Sequence, residues 1–325
     1  MSYAQGQNIA ASDYNGLAGD VGNGGSYASS AAATQKVAAL YGVGYGDRGY
    51  GQTAILFGSP TVAAGAAITA DKWLNLRNAI AALASHQGTA TTLLPPASDF
   101  VAGQAIKAEA SATSSYDFAT MIANVDTNRL NTNSGASMSL TSNALTITRA
   151  STWGASTGGI TAVATVTFPS ENDARFFFNT GGEIRFNVSH PTGSTQDNNW
   201  NTALSSVGTI AFKAHATTRA GTGGTPASVG YYELTTADQT ILSGAIGSGA
   251  YSTNSITVSA RAASISGANG SKGSQLIFTI TLTDSHTNSF SDICSAGTAV
   301  VFAHLKATAV LSGIASPTFA TTTNW

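Results

Sequence analysis

"FPSENDARFFFNTGGEIRFNV" (168–188) is where the chain changes character. Three consecutive phenylalanines, two arginines and a double glycine stand in a protein otherwise built from Ala, Gly, Ser and Thr. Two structures compete for the stretch. As a hairpin, "ARFFF" and "EIRFN" are strands joined by "NTGG". The aromatic run favours β structure, and Ile184, Phe186 and Val188 alternate, but Phe177 then points outward beside Arg175. As a strand–helix–strand unit, Pro169 ends the first strand and Ser170 caps a short helix. Ser170-Glu171-Asn172-Asp173 resembles a capping box with Asp in the last place. Acidic residues fall in the first turn, where the helix dipole favours them, and Asn179 through Gly182 supply a left-handed stop. Ala174, Phe177 and Phe178 then share one face. The helix is preferred because it accounts for both ends. Its phenylalanines are expected to plug an open end of a β-sandwich, the alternative being an exposed aromatic patch that docks a partner or a sugar.

That sandwich is read from what surrounds the stretch. From about residue 135 the apolar period is two. In "TAVATVTF" (161–168), Ala162, Ala164, Val166 and Phe168 share a face, and the opposite face is mostly threonine. In "TIAFKAHATT" (209–218), Ile210, Phe212, Ala214 and Ala216 face one way, while Lys213, His215 and Thr217 face the other. "SITVSARAASI" (255–265) aligns Ile256, Val258 and Ala260, and "QLIFTITLTD" (275–284) aligns Leu276, Phe278, Ile280 and Leu282. "TAVVFAHLKATAVL" (298–311) puts Val301, Ala303, Leu305, Ala307 and Ala309 on one face. With "LTITR" (145–149) and "VGYYELTT" (229–236), roughly eight strands occupy about 190 residues. Clean alternation means antiparallel sheet with one face buried, and such strands with Gly/Ser/Asn turns point to a β-sandwich or jelly roll.

Upstream the period is helical. "IAASDYNGL" (9–17) and "ITADKWLNL" (68–76) echo each other. In the second, Trp73, Leu76, Ile80 and Leu83 line one helix face, with Thr69 or Asp71 to start it and Gly88 to end it. In the first, Tyr14, Leu17 and Val21 repeat the spacing, though Gly16 and Gly19 weaken the helix. Phe118, Ile122, Val125 and Arg129 form a third pattern, opened by Asp117. These helices look too short to bury their stripes alone, so they are expected to pack on each other or on another subunit. The fold expected is α+β, mainly β. Residues 1–133 form a helical, glycine-loop docking region, and residues 134–325 form an antiparallel sandwich. Local disorder is expected in "GDVGNGGSYASS" (19–30) and "TTRAGTGGTPAS" (217–228).

Composition narrows the function. Charged residues are 9% of the 325-residue chain and the net charge is −2; a typical soluble domain has about 25%. The 14 Lys and Arg are scattered, whereas nucleic-acid binding needs a concentrated basic surface. Weak charge also brings little self-repulsion, which tolerates close packing of subunits. Cys294 is the only cysteine, which excludes an internal disulfide and a cysteine zinc cluster. No window approaches the ~18 apolar residues of a membrane span. "MSYAQGQNIAASDYN" has no basic n-region or apolar run, so a chain made in a cytoplasm without secretion is expected.

Catalytic patterns are weak. None of His86, His190, His215, His286 and His304 pairs with another His or with Cys at metal-ligand spacing, so no metal or cofactor is expected. "GVGYGDRGYGQ" (42–52) lacks the GK[ST] ending of a phosphate loop and reads as structural turns whose tyrosines and Arg48 could make contacts. Glu233, Asp284 and Asp292 are the obvious carboxylates for glycan hydrolysis, but turn or edge-strand duty explains each. No enzymatic role is expected.

Several stretches, in order along the chain, carry a likeness: "IAASDYN" (9–15), "GDRGYGQT" (46–53), "ITADKWLNL" and "SHQGT" (68–76 and 85–89), "RFFFNTGGEIRF" (175–186), "GYYELTT" (230–236) and "TLTDSHTNSFSD" (281–292). Together the chain resembles virion structural proteins of tailed bacteriophages, especially phages of cyanobacteria and other aquatic bacteria. That resemblance implies a non-enzymatic particle component of the neck, tail or a fibre-like appendage, resident in the virion, made in the bacterial host cytoplasm and without cofactors. Its partners would be copies of itself and other virion proteins, through contacts at Arg48, Tyr50, Trp73, Arg175, Phe177 and Phe178. The alternative is a receptor- or glycan-binding module. It would use Trp200 in "QDNNWN" (196–201), expected as a loop anchor on the sandwich rim in the absence of a sugar, together with Tyr231 and Tyr232.

Overall fold

The computed structural model describes residues 11–19, 37–52, 62–104, 115–133, 137–154, 158–286, 293–308, 310–323 and 325. The chain divides into two compact units, one of residues 1–138, 175–181 and 307–314, the other of residues 139–174, 182–306 and 315–325. Val21, Ala309, Asp292 and nearly all of 19–30 lie outside the described residues.

The first unit is helical. Its elements are α1 (Ala11–Ala18), α2 (Val37–Tyr41), α3 (Ala70–Gln87) and α4 (Phe118–Thr127). The caps expected from sequence are in place. Thr69 Oγ1 accepts from Lys72 N, Gly88 takes the left-handed conformation at φ 75°, and Asp117 accepts from Thr120 N at 2.9 Å. The stripes close on one another, with Tyr14, Leu40, Trp73, Leu76, Ile80, Leu83, Phe118, Ile122 and Val125 in one buried cluster that also takes in Leu311. Trp73 packs edge-on against Tyr14 at 5.2 Å and Phe118 at 5.6 Å, the geometry aromatic quadrupoles favour.

The second unit contains three sheets, with thirteen strands among the described residues. They are β1 (Met138–Thr148), β2 (Trp153–Gly154), β3 (Ile160–Thr167), β4 (Glu183–Ser189), β5 (Ile210–Phe212), β6 (Thr217–Arg219), β7 (Thr225–Pro226), β8 (Gln239–Ala245), β9 (Ser255–Ala262), β10 (Gln275–Thr283), β11 (Ile293–Cys294), β12 (Ala299–Ala307) and β13 (Thr318–Thr323). α5 (Glu171–Asn179) lies between β3 and β4, and α6 (Thr195–Val207) between β4 and β5. One sheet runs β1-β12-β4-β5-β6, the second β13-β3-β10-β9-β8-β7, and β11 with β2 makes a short ribbon. The α+β, mainly antiparallel sandwich is what the period-two patterning requires.

Ring contacts join the two large sheets. Phe278 of β10 meets Phe186 of β4 at 5.8 Å and Phe212 of β5 at 5.2 Å, and Phe302 of β12 meets Phe319 of β13 at 6.0 Å. Phe278 fits because its register neighbours are small: Ala164 on β3 and Ala260 on β9 stand directly opposite it. Two alanines leave the width that one phenylalanine fills, so the large and small residues of the face interdigitate.

"FPSENDARFFFNTGGEIRFNV" folds as strand, helix, strand. Ser170 Oγ accepts from Asp173 N at 3.1 Å and donates to the Asp173 carboxylate at 2.6 Å, and Gly181 takes φ 77° after the last turn. Ala174, Phe177 and Phe178 are fully buried. The two phenylalanines, expected to plug the sandwich, fall in residues 175–181 and group with the helical unit, whereas Ala174 groups with the sandwich.

Four other expectations are corrected. β12 buries Val300, Phe302 and His304, whereas Val301, Ala303 and Leu305 are only half-buried. The largest side chain, Phe302, decides the face. "TIAFKAHATT" is not one strand: it breaks after Phe212, and Lys213 N bonds Ala216 O to turn the chain into β6, whose Thr217 is buried. "VGYYELTT" contains a 3-10 turn at Tyr231–Glu233 instead of a strand, because the Glu233 carboxylate accepts from Gly230 N at 2.9 Å and closes it. "TTRAGTGGTPAS" contains β6 and β7, with Arg219 Nε donating to Gly224 O at 2.9 Å.

Phe278→Ala should destabilise the chain by about 3–5 kcal/mol, the range for a phenylalanine removed from a packed core. Urea unfolding checks it. A loss under 1 kcal/mol would mean that the two facing sheets do not depend on this ring.

Candidate functional site

In the helical unit, the glycine-rich segment 42–52 is an ordered loop. Tyr50, Gly51 and Gln52 donate their amides to Leu40, Gly42 and Tyr41 carbonyls at 2.9–3.0 Å, so the segment doubles back on the end of α2. Gly49 at φ 100° makes the return, and a Cβ on Gly51 would run into the Phe176 ring. Four of the loop's carbonyls accept from α5. Arg175 donates to Val43 O at 2.9 Å and Arg48 O at 3.2 Å, and Asn179 Nδ2 donates to Gly46 O at 3.1 Å and Gly49 O at 2.9 Å. A phosphate loop presents N–H groups to an anion. This one presents carbonyl oxygens to a guanidinium and an amide, the opposite polarity.

Of the six residues expected at partner contacts, Arg48, Tyr50 and Arg175 are brought together here. Arg48 pairs with Asp126 at 3.0 Å, and Arg129 with Asp47 at 2.6 Å. Tyr50 is buried, donates to Arg129 O and accepts from Gln87 Nε2 at 2.9 Å. Burial drives its phenol pKa upward. Phe177 and Phe178 pack on one another at 5.1 Å and are buried with Arg175. Trp73 lies in the helical core. Arg48 alone of the six keeps appreciable exposure, at 28% of its side chain.

Of the three glycan candidates, Tyr231 and Tyr232 are in ring contact at 5.1 Å. Trp200 is on α6, not in a loop, fully buried and 5.0 Å from Trp153. The signal was legible: Ser194-Thr195-Gln196-Asp197 is a capping box, and Trp200, Ala203, Leu204 and Val207 follow at helical spacing. Tyr231 is buried, its hydroxyl donating to Gly273 O at 3.0 Å. Tyr232 is half-buried and stacks on His215, which bonds Glu233 at 2.8 Å.

The densest polar constellation is one that sequence reasoning missed. His190 follows β4, Asp197 sits in the first turn of α6, and Cys294 is in β11; all three are buried. Their ligand-type atoms lie within 4.8 Å of one another. His190 Nε2 is 2.8 Å from Asp197 Oδ1, and Nδ1 is 2.8 Å from Thr298 Oγ1, which also accepts from Trp153 Nε1 at 2.9 Å. Asp197 further accepts from Ser194 N at 2.9 Å, Ser295 N at 2.7 Å and Ser295 Oγ at 2.8 Å. Burial alone would raise its pKa, but these bonds, led by His190's, outweigh it and hold the carboxyl well below the usual range. Both ring nitrogens of His190 are engaged, so neither is placed to activate Cys294 as a nucleophile in this arrangement.

His86 supplies a pH handle in the helical unit. It is buried, with Nε2 3.0 Å from Thr180 O and Nδ1 without a hydrogen-bond partner among the described residues. Desolvation lowers its pKa, only partly offset by the Thr180 carbonyl. The unfolded chain therefore takes up this proton first. Its contribution is fully present above the ordinary value of about 6.5 and is lost as pH falls toward the lowered folded value. Stability should therefore fall between about pH 7 and 5, and His86→Gln should flatten that slope. Thermal melts across this range check it; an identical slope in the variant would remove His86 as the cause.

No protein-family profile, no curated protein and no solved structure matches this chain.

Proposed function

We propose that this chain is a structural component of a tailed bacteriophage particle that associates with copies of itself and docks onto other neck or tail proteins. The virion part rests on the resemblance carried by the stretches quoted above. The self-association part is supported by one observation, the exposed edge strand β1. It is 11 residues long and ends the five-stranded sheet. Residues 139–143 are exposed on both faces, and Leu140 is 50% exposed. "MSLTSNALTIT" contains no charge and no proline. Proteins that stay monomeric commonly blunt such edges with lysine, proline or a covering element. An uncharged edge of this length is a template for a strand from a second copy, and β13, "TFATTT", has the same character at the edge of the other sheet.

A second reading, a glycan-binding module, is favoured by Tyr232 alone, a half-buried ring stacked on His215 beside a carboxylate.

Light scattering on the purified chain should give an oligomer, and Leu140→Lys with Ser142→Lys should shift it to monomer with unchanged circular dichroism. A wild type that is monomeric at all concentrations would sink the self-association reading. The protein should also be present in fixed copy number at one position in purified particles by electron microscopy. Its absence there, with glycan-array binding abolished by Tyr232→Ala, would favour the second reading.

A further inference from the structure

We propose that His190, Asp197 and Cys294 form a binding site for one Zn2+ ion in the sandwich unit. This stands independently of the virion reading. The three residues come from three separate elements, the end of β4, the first turn of α6 and the ribbon strand β11, yet their donor atoms lie within 4.8 Å of one another. Imidazole, carboxylate and thiolate together make a donor set of intermediate softness. That set suits Zn2+ better than Ca2+ or Mg2+, which take oxygen ligands alone.

The residues around the three are arranged as metal ligands require. A ligating histidine needs its second nitrogen fixed by a hydrogen bond, and His190 Nδ1 has Thr298 Oγ1 at 2.8 Å, itself held by Trp153 Nε1 at 2.9 Å. A ligating carboxylate needs its remaining lone pairs occupied. Asp197 has Ser194 N, Ser295 N and Ser295 Oγ on it, and the last position, on Oδ1, now faces His190 Nε2. The His190 carbonyl accepts from Asn201 Nδ2 at 2.6 Å, which fixes the backbone as well. At 2.8 Å His190 Nε2 and Asp197 Oδ1 are hydrogen-bonded, and an ion between them would part them by about half an ångström, since two ligands of one tetrahedral Zn2+ stand about 3.3 Å apart.

The proton balance is simple. On binding, the Cys294 thiol loses its proton to solvent, and His190 gives up the Nε2 proton now shared with Asp197, so that the neutral ring keeps one proton, on Nδ1, donated to Thr298 Oγ1. Binding therefore weakens as pH falls. The ion would tie the end of β4, α6 and β11 at one point.

The test uses the full chain stripped with chelator and titrated with Zn2+ and, separately, Co2+. One equivalent should bind, and the Co2+ form should show a sulfur-to-cobalt charge-transfer band. Cys294→Ser should lose that band and weaken Zn2+ binding at least tenfold while keeping wild-type circular dichroism. If that variant does not fold, alkylation of Cys294 in mild denaturant provides the second readout: Zn2+ should slow it at least tenfold. The proposal is overturned if no stoichiometric binding occurs, if the Co2+ form lacks the sulfur band, if binding survives unchanged in Cys294→Ser, or if Zn2+ leaves the alkylation rate unaltered.

Discussion

The guanidinium of Arg175, buried against the carbonyls of Val43 and Arg48, is the constraint on which the helical unit depends. Five of the eleven residues at 42–52 are glycines, which bring no side chain and whose backbone is costly to order in conformational entropy. Here α5 supplies the missing partners. Arg175 and Asn179 are one helical turn apart, so both point at the same loop and satisfy four of its carbonyls. Phe176 covers Gly51 and lies 5.5 Å from the Arg175 guanidinium. Arg175 gives both bonds through Nη2, at the end of a side chain longer than lysine's.

The sandwich unit uses the same device with opposite charge. There a buried anion, Asp197, gathers two backbone amides, a hydroxyl and an imidazole, and so fixes the start of α6 beside the turn after β11. Each unit has a sheet or helical core of small and aromatic apolar residues, together with one charged group that organises an irregular stretch. A chain with 9% charged residues can place a few of them inside because each is surrounded by hydrogen-bonding partners; without partners the same burial would cost several kcal/mol.

Much of this was legible in sequence. Helix boundaries at Thr69, Gly88, Asp117 and Ser170 followed from capping chemistry, which is local. The inward faces of β3, β9 and β10 followed from period two. β12 misled because both of its faces are apolar, so alternation did not decide and the size of Phe302 did. α6 was missed although its capping box stands in plain sight, because an asparagine-rich run resembles a loop. His190, Asp197 and Cys294 were invisible for a different reason. His190 and Asp197 are only seven residues apart, but Cys294 is brought to them by tertiary structure, and no spacing along the chain encodes that. The role of Arg175 lay equally out of reach, since its acceptors are backbone carbonyls more than a hundred residues away.

The conspicuous residues of this protein thus mostly face inward, and the exposed stretch of β1 carries no charge. The claim that the 42–52 loop is a fixed internal element, and not a binding loop, is tested most directly by amide hydrogen exchange. The amides of Tyr50, Gly51 and Gln52 should be protected to the same degree as those of α3, and Arg175→Lys should release them while α3 stays protected. Rapid exchange of these three amides in the unaltered chain would contradict it.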